Sequence, residues 1–151
     1  MSKKLYAGIG SRDIDPESMR FLEDIAVLMA NKGYVLRSGG ASGSDSAFEE
    51  GALWDKEIFT ADDCTLQAEE IASQFHPAWH NCKEYVRKLH GRNAMIILGE
   101  DLNTPVERVF CWTLNENRGG TSLGLKIARH YKIPVHNLAN PETAKKFKEL
   151  L

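Results

Sequence analysis

Twice within its first sixty residues the chain runs from a short apolar stretch, through a glycine turn, into a helix-like segment and back to an apolar stretch. KLYAGI (4–9) and GSR (10–12) lead into DPESMRFLEDIAVLMANKG (15–33), and YVLR (34–37) follows. A loop of glycines and serines, SGGASGS (38–44), then opens a segment predicted to be helical from Ser44 to Leu53, before the weaker strand KEIFTA (56–61). Short strands alternating with helices are the pattern of a parallel sheet with crossover helices. In the first helix Asp15 is placed to cap, Pro16 suits the first turn and Gly33 can end it. Met19, Leu22, Ile25, Ala26 and Met29 recur at three- and four-residue spacing, and Phe21 and Leu28 widen that face, as expected of a helix packed on a sheet.

Downstream, TLQAEEIASQF (65–75) and HNCKEYVRKLHGRNAMIILG (80–99) read as mostly helical, with Pro77 between them. ERVFCWT (107–113) reads as a buried strand, TSLGLKIARHY (121–131) as a helix and IPVHNL (133–138) as the last strand. Asn140-Pro141-Glu142 starts a final amphipathic helix. The expected architecture is an α/β, Rossmann-like sandwich, a largely parallel sheet flanked by helices. It forms one domain over residues 1–151, with 62–102 as a divergent helical insertion that supplies a lid or a subunit contact.

A chain of 151 residues is long enough to bury a core without staples. With 42% apolar and 26% charged residues it has the make-up of an ordinary soluble globular protein. The net charge of −2 creates no global field for nucleic acid or an acidic membrane, so polyanion binding must come from a local patch. Three cysteines without CxxC spacing read as reduced thiols. No signal peptide and no membrane-spanning run is read in the chain, and the expected location is the cytoplasm.

Three small-residue turns fall at the carboxyl ends of expected strands, where open parallel sheets bind ligands. They are Gly8-Ile9-Gly10-Ser11-Arg12, Ser38-Gly39-Gly40-Ala41-Ser42-Gly43-Ser44 and Arg118-Gly119-Gly120-Thr121-Ser122. The last two each open a helix, whose free N–H groups and partial positive charge suit a phosphate. Glycine permits close approach of the backbone, and hydroxyls add donors. None is a Walker loop, and GIGSRD lacks the third glycine of the dinucleotide fingerprint. Any one of them alone is explained as a tight strand-to-helix turn. Three on one edge, with Arg12, Arg37 and Arg118 adjacent, point to a nucleotide-sized anion.

YAGIGSR, LRSGGASGSDSAFEEGA, LHGRNAMIILG and FCWTLNENRGGTSLGLKIARHYKIPVHNL resemble a small phage and bacterial branch of a nucleotide-binding superfamily. That superfamily joins the Rossmann domain of DNA-processing protein A (DprA, Smf) with the Lonely Guy (LOG) phosphoribohydrolases. The resemblance covers nearly the whole chain in motif order. It implies a Rossmann-like sheet, a nucleotide or nucleotide-derived ligand at the glycine motifs, and a homodimer. Lonely Guy enzymes carry a PGGxGT turn followed by a catalytic glutamate. Here Arg118-Gly119-Gly120-Thr121-Ser122-Leu123-Gly124 has neither the proline nor the acid. DprA binds single-stranded DNA through basic surface, which a net charge of −2 does not favour.

Asp45 and Glu49 are four apart and share a helix face near its amino terminus. They either complement the helix dipole or serve the sugar: a carboxylate there can bind ribose hydroxyls or stabilise an oxocarbenium-like sugar during N-glycosidic cleavage. Glu50 points elsewhere. Arg92 either reaches a phosphate or is a surface cation at a helix end. Trp112 either stacks on a base or packs in the core, and Thr113 follows it at the strand end. His76-x3-His80-x-Cys82 matches no zinc spacing, so no metal and no cofactor are expected, and Trp79 and His80 are assigned to a lid or interface. Two classes of function follow. One is an enzyme cleaving or transferring at the glycosidic or phosphate bond of a nucleotide, including an N-glycosidase of nucleoside monophosphates; the other is a module that senses or sequesters a nucleotide, or assists DNA recombination through partners.

Overall fold

The computed structural model describes residues 3–151; Met1 and Ser2, the start of the segment read as no signal peptide, lie outside them. Five strands, β1 (Lys4–Gly10), β2 (Tyr34–Ser38), β3 (Lys56–Ile58), β4 (Arg108–Trp112) and β5 (Val135–Asn137), pair in the order β3-β2-β1-β4-β5. Every pairing is parallel, with Ala7 of the central strand opposite Arg37 on one side and Val109 on the other. Among the described residues six α-helices cover the sheet: α1 (Pro16–Asn31), α2 (Ser44–Ala52), α3 (Leu66–Ser73), α4 (Glu84–Leu98), α5 (Gly120–His130) and α6 (Pro141–Lys148). The molecule is thus an α/β, Rossmann-like fold.

Alternation along β1 sorts the core into two layers. Leu5, Ala7 and Ile9 face a cluster built with Ala94–Leu98 of α4 and Leu123, Leu125 and Ile127 of α5. Tyr6 faces the other, with Phe21, Leu22 and Ile25 of α1, Phe48 of α2 and Phe147 of α6. The α1 face foreseen from spacing is the buried one, Asp15 caps it by accepting from the Ser18 N–H, and Gly33 follows it at a φ of 84°. No helix among the described residues is long and apolar enough to cross a membrane.

The segment 62–102 is more deeply built in than an inserted lid. Its α3 contributes Ala68 and Ala72, and its α4 contributes Ala94 to Leu98, to one of the two cores. The topology explains this: the chain leaves β3 at one edge and must cross β2 and β1 to reach β4, so the connecting helix becomes the cover of the sheet. The order reverses between β1 and β4, and there the two strand ends part to leave a crevice.

Candidate functional site

That crevice is a cleft of about 710 Å³, within the range of small-molecule sites. Gly10, Ser11 and Arg12 line it from the end of β1, Thr113 from the end of β4, Ala41 and Asp45 from the β2–α2 turn and the first turn of α2, Arg92 and Asn93 from α4, and Arg118 to Thr121 from the start of α5. Most of the residues singled out in sequence therefore converge, although they come from five separate segments.

The wall formed by the first two glycine turns is tightly knit. Ser44 donates both its N–H (3.1 Å) and its hydroxyl (2.7 Å) to the Ser11 carbonyl. The Ser11 N–H donates to the Trp112 carbonyl at 2.9 Å. A β-carbon on Gly10 would lie 2.5 Å from that same carbonyl oxygen, and one on Gly43 would lie 2.5 Å from the Arg12 carbonyl oxygen. Arg92 is buried, and its Nη1 donates to the carbonyls of Gly39 (2.8 Å) and Phe59 (3.2 Å) while Nε donates to Asn93. It is neither a surface cation nor a helix-end cap. It clamps the β2 turn from across the cleft.

Asp45 sits within this wall at only 6% exposure. The Ala41 N–H reaches its Oδ2 at 3.4 Å, and a β-carbon on Gly39 would meet both Asp45 Oδ2 and Arg92 Nη1 within 3 Å. Burial pushes the carboxyl up to about 6, against the opposing pull of the Arg92 guanidinium and the N–H groups of Ala41, Gly39 and Gly10. The start of α2 is one of the two helix openings whose free N–H groups suit a phosphate. Two of those donors are committed, Ala41 to Asp45 and Ser44 to Ser11, and a buried carboxylate stands beside them. This end is poorly suited to phosphate.

The opposite wall is open. Gly119 precedes α5 and no side chain caps the helix, so its amino terminus lacks a side-chain capping partner where Gly119, Gly120 and Thr121 line the cleft. A β-carbon on Gly119 or Gly120 would meet nothing within 4 Å. Arg12 and Arg118 are exposed along the same cleft and supply positive charge. Ser122 is buried in the first turn, its N–H bonded to the Gly119 carbonyl.

Several singled-out residues lie elsewhere. Arg37 is buried on the far side of β2, its Nε donating to Glu57 at 2.8 Å and its Nη1 to the Thr104 carbonyl. The Ser38 hydroxyl is committed to the Gly8 carbonyl at 2.6 Å. Gly40 shapes the turn with a φ of 70°. Glu49 pairs with Lys56 at 2.8 Å on the outer face of α2. Trp112 packs into the α1–α2–α6 core rather than against the cleft. Strand alternation accounts for Arg37 and Trp112: being at a strand end does not decide which face the side chain takes.

Sequence reading missed the apolar side of the cleft, Val86, Leu89 and Ile96 of α4, and the role of Asn93, whose amide donates to the Gly120 carbonyl at 3.2 Å. It also missed that His76 and His90 share this wall. The helical spacing of Leu89 and Ile96 from Arg92 was readable, but the crossing of α4 over the switch point was not.

The architecture and the crevice together define a Rossmann-like domain with a cleft at its topological switch. The chain matches no protein-family model and no curated protein sequence. Among solved structures it is similar to DNA processing protein A from Helicobacter pylori, described for its single-stranded DNA binding mode, with a TM-score of 0.58 at 20% identity. The match covers 88% of this chain and 63% of the DprA chain. At that identity the likeness is one of fold.

Proposed function

We propose that the cleft binds a nucleotide or nucleotide-derived small molecule, with phosphate at the start of α5 and sugar facing Asp45. The observation that carries this reading is the asymmetry of the two walls. An uncapped helix amino terminus flanked by Arg12 and Arg118 lies across one cleft from a buried carboxylate. Anion attraction belongs to the α5 wall and recognition of hydroxyls to the Asp45 wall. The apolar residues of α4 offer a surface for a base. A homodimer formed through the middle segment is part of the reading, and a light-scattering mass of 16.9 kDa across micromolar concentrations would remove it.

A second reading is favoured by Asp45 alone: hydrolysis of the ligand's N-glycosidic bond. A carboxylate raised to about 6 is ionised near neutral pH, yet sits dry enough to stabilise positive charge developing at the sugar. The DprA neighbour supports a third, a module for single-stranded DNA in which the cleft takes one nucleotide of a strand.

Calorimetric titration of the intact protein separates these. Nucleoside 5′-monophosphates should bind and the matching nucleosides should bind at least about tenfold more weakly, the equivalent of one good hydrogen bond or more. Thr121→Val, which keeps shape and removes a donor, should narrow that gap. Equal affinity for nucleoside and nucleotide would overturn the phosphate assignment. Binding of an oligodeoxynucleotide without binding of any monophosphate would favour the DNA module. Chromatography of the incubated mixtures for released base decides the hydrolase reading.

A further inference from the structure

Beside the cleft, three side chains with metal-binding chemistry meet: His76 from the turn after α3, Cys82 from the stretch before α4, and His90 from α4 itself. One potential ligand atom of each lies within 4.8 Å of the others. The set is not the one suggested by sequence spacing, since His80 is exposed and takes no part in it. The helix brings in His90, eight residues beyond Cys82, in its place.

We propose that His76, Cys82 and His90 form a binding site for a zinc-class divalent transition metal, with a fourth position open to the cleft. A tetrahedral ion with bonds of about 2.0–2.3 Å holds its ligand atoms roughly 3.3–3.6 Å apart. Cys82 Sγ stands 3.7 Å from His76 Nε2, close to that spacing before any ion draws them together. The rings of His76 and His90 lie with centroids 4.8 Å apart. The buried Nδ1 of His90 has no hydrogen-bond partner, a costly condition that ligation or a metal-ordered partner would relieve. One thiolate and two imidazoles favour zinc or cobalt over magnesium or calcium, which prefer oxygen. His76 and His90 both line the cleft, so the remaining coordination position faces it. Three protein ligands with an open fourth place are the arrangement of reactive zinc centres rather than closed structural ones.

Loading has a definite local cost. The Ala78 N–H donates to His76 Nδ1 at 3.0 Å, which leaves the ring proton on Nε2. A metal at Nδ1 must replace that N–H. A metal at Nε2 moves the ring proton to Nδ1, where it opposes the amide. Either way the Pro77–Ala78 turn shifts, and Cys82 gives its thiol proton to solvent on becoming the thiolate ligand. The site stands whether or not the cleft takes a nucleotide.

Cobalt titration of the reduced, metal-free full chain tests it. One Co²⁺ per chain should bind, with visible bands of a tetrahedral ion and a near-ultraviolet thiolate-to-cobalt charge-transfer band, and Zn²⁺ should displace it. Cys82→Ser should abolish the charge-transfer band, and His90→Gln should weaken binding on the order of tenfold or more. Cys64→Ser and His80→Ala should leave both unchanged, and circular dichroism should show each variant folded. Absence of cobalt binding by the folded wild type would overturn the proposal. So would an unchanged band in Cys82→Ser, or loss of binding in His80→Ala but not in His90→Gln.

Discussion

The glycine turns of the two walls that face each other across the cleft look alike in sequence and are built on different principles. In the β1 and β2 turns, the β-carbon positions of Gly10, Gly39 and Gly43 are filled by neighbouring atoms at 2.5 Å. Those glycines exist so that the chain can close on itself. At Gly119 and Gly120 nothing stands within 4 Å, and the backbone is bare toward the cleft. A glycine-rich turn is evidence of a ligand only when the space it leaves is still empty. By that criterion the first wall is a scaffold that holds Asp45, and the second is the one to which the proposed function assigns the anion.

The sharpest way to break this contrast is to place side chains on both walls. Gly10→Val should destabilise the protein by about 3 kcal/mol, because its added atoms meet backbone that has nowhere to go; a shift in the urea midpoint measures it. The same steric argument applies to Gly43→Val. At a φ of 80° and with the Arg12 backbone 2.5 Å away, that variant tests stability first.

Asp45→Asn gives a smaller change of opposite sign. A carboxyl raised from 3.8 to about 6 in the fold binds its proton more tightly folded than unfolded. Its favourable contribution is fully present below pH 3.8 and is lost as pH rises through about 6. At neutral pH the ionised, buried carboxylate is a liability, so the amide should raise stability there by about 1–3 kcal/mol. It should also flatten the pH dependence of denaturation between those two values. If Asp45 faces the sugar, the same variant should lose ligand affinity or kcat, the trade expected of a functional group held at the expense of the fold. Unchanged stability profiles would show that the carboxylate is better solvated than its position implies.

Gly120→Ala, on the open wall, should move stability by no more than about 0.5 kcal/mol while weakening monophosphate binding roughly tenfold, about what one hydrogen bond to an anion contributes. Thermal denaturation and calorimetry on the same sample check both halves. Equal losses of stability in Gly120→Ala and Gly10→Val would erase the distinction between the walls.

The periodicity of α1, the apolar runs of β1, β2 and β4, and the punctuation by Asp15, Pro16 and Gly33 determined the fold class, because these are local signals that act within one or two turns of chain. The placement of three glycine turns at strand ends was equally legible, and Gly10, Ser11, Arg12, Asp45, Thr113 and Gly119 to Thr121 do gather at one cleft. What the tertiary structure alone decided is direction and company. Arg37 and Trp112 turn to faces away from the cleft because a residue at a strand end has no mark of its side in so short a run. Arg92 is buried as a clamp, and His90 rather than His80 joins His76 and Cys82, because α4 crosses the sheet from β3 to β4 at one angle. Spacing along a chain fixes neighbours on the same helix; neighbours between elements are set by how the layers pack, and that is a property of the whole core.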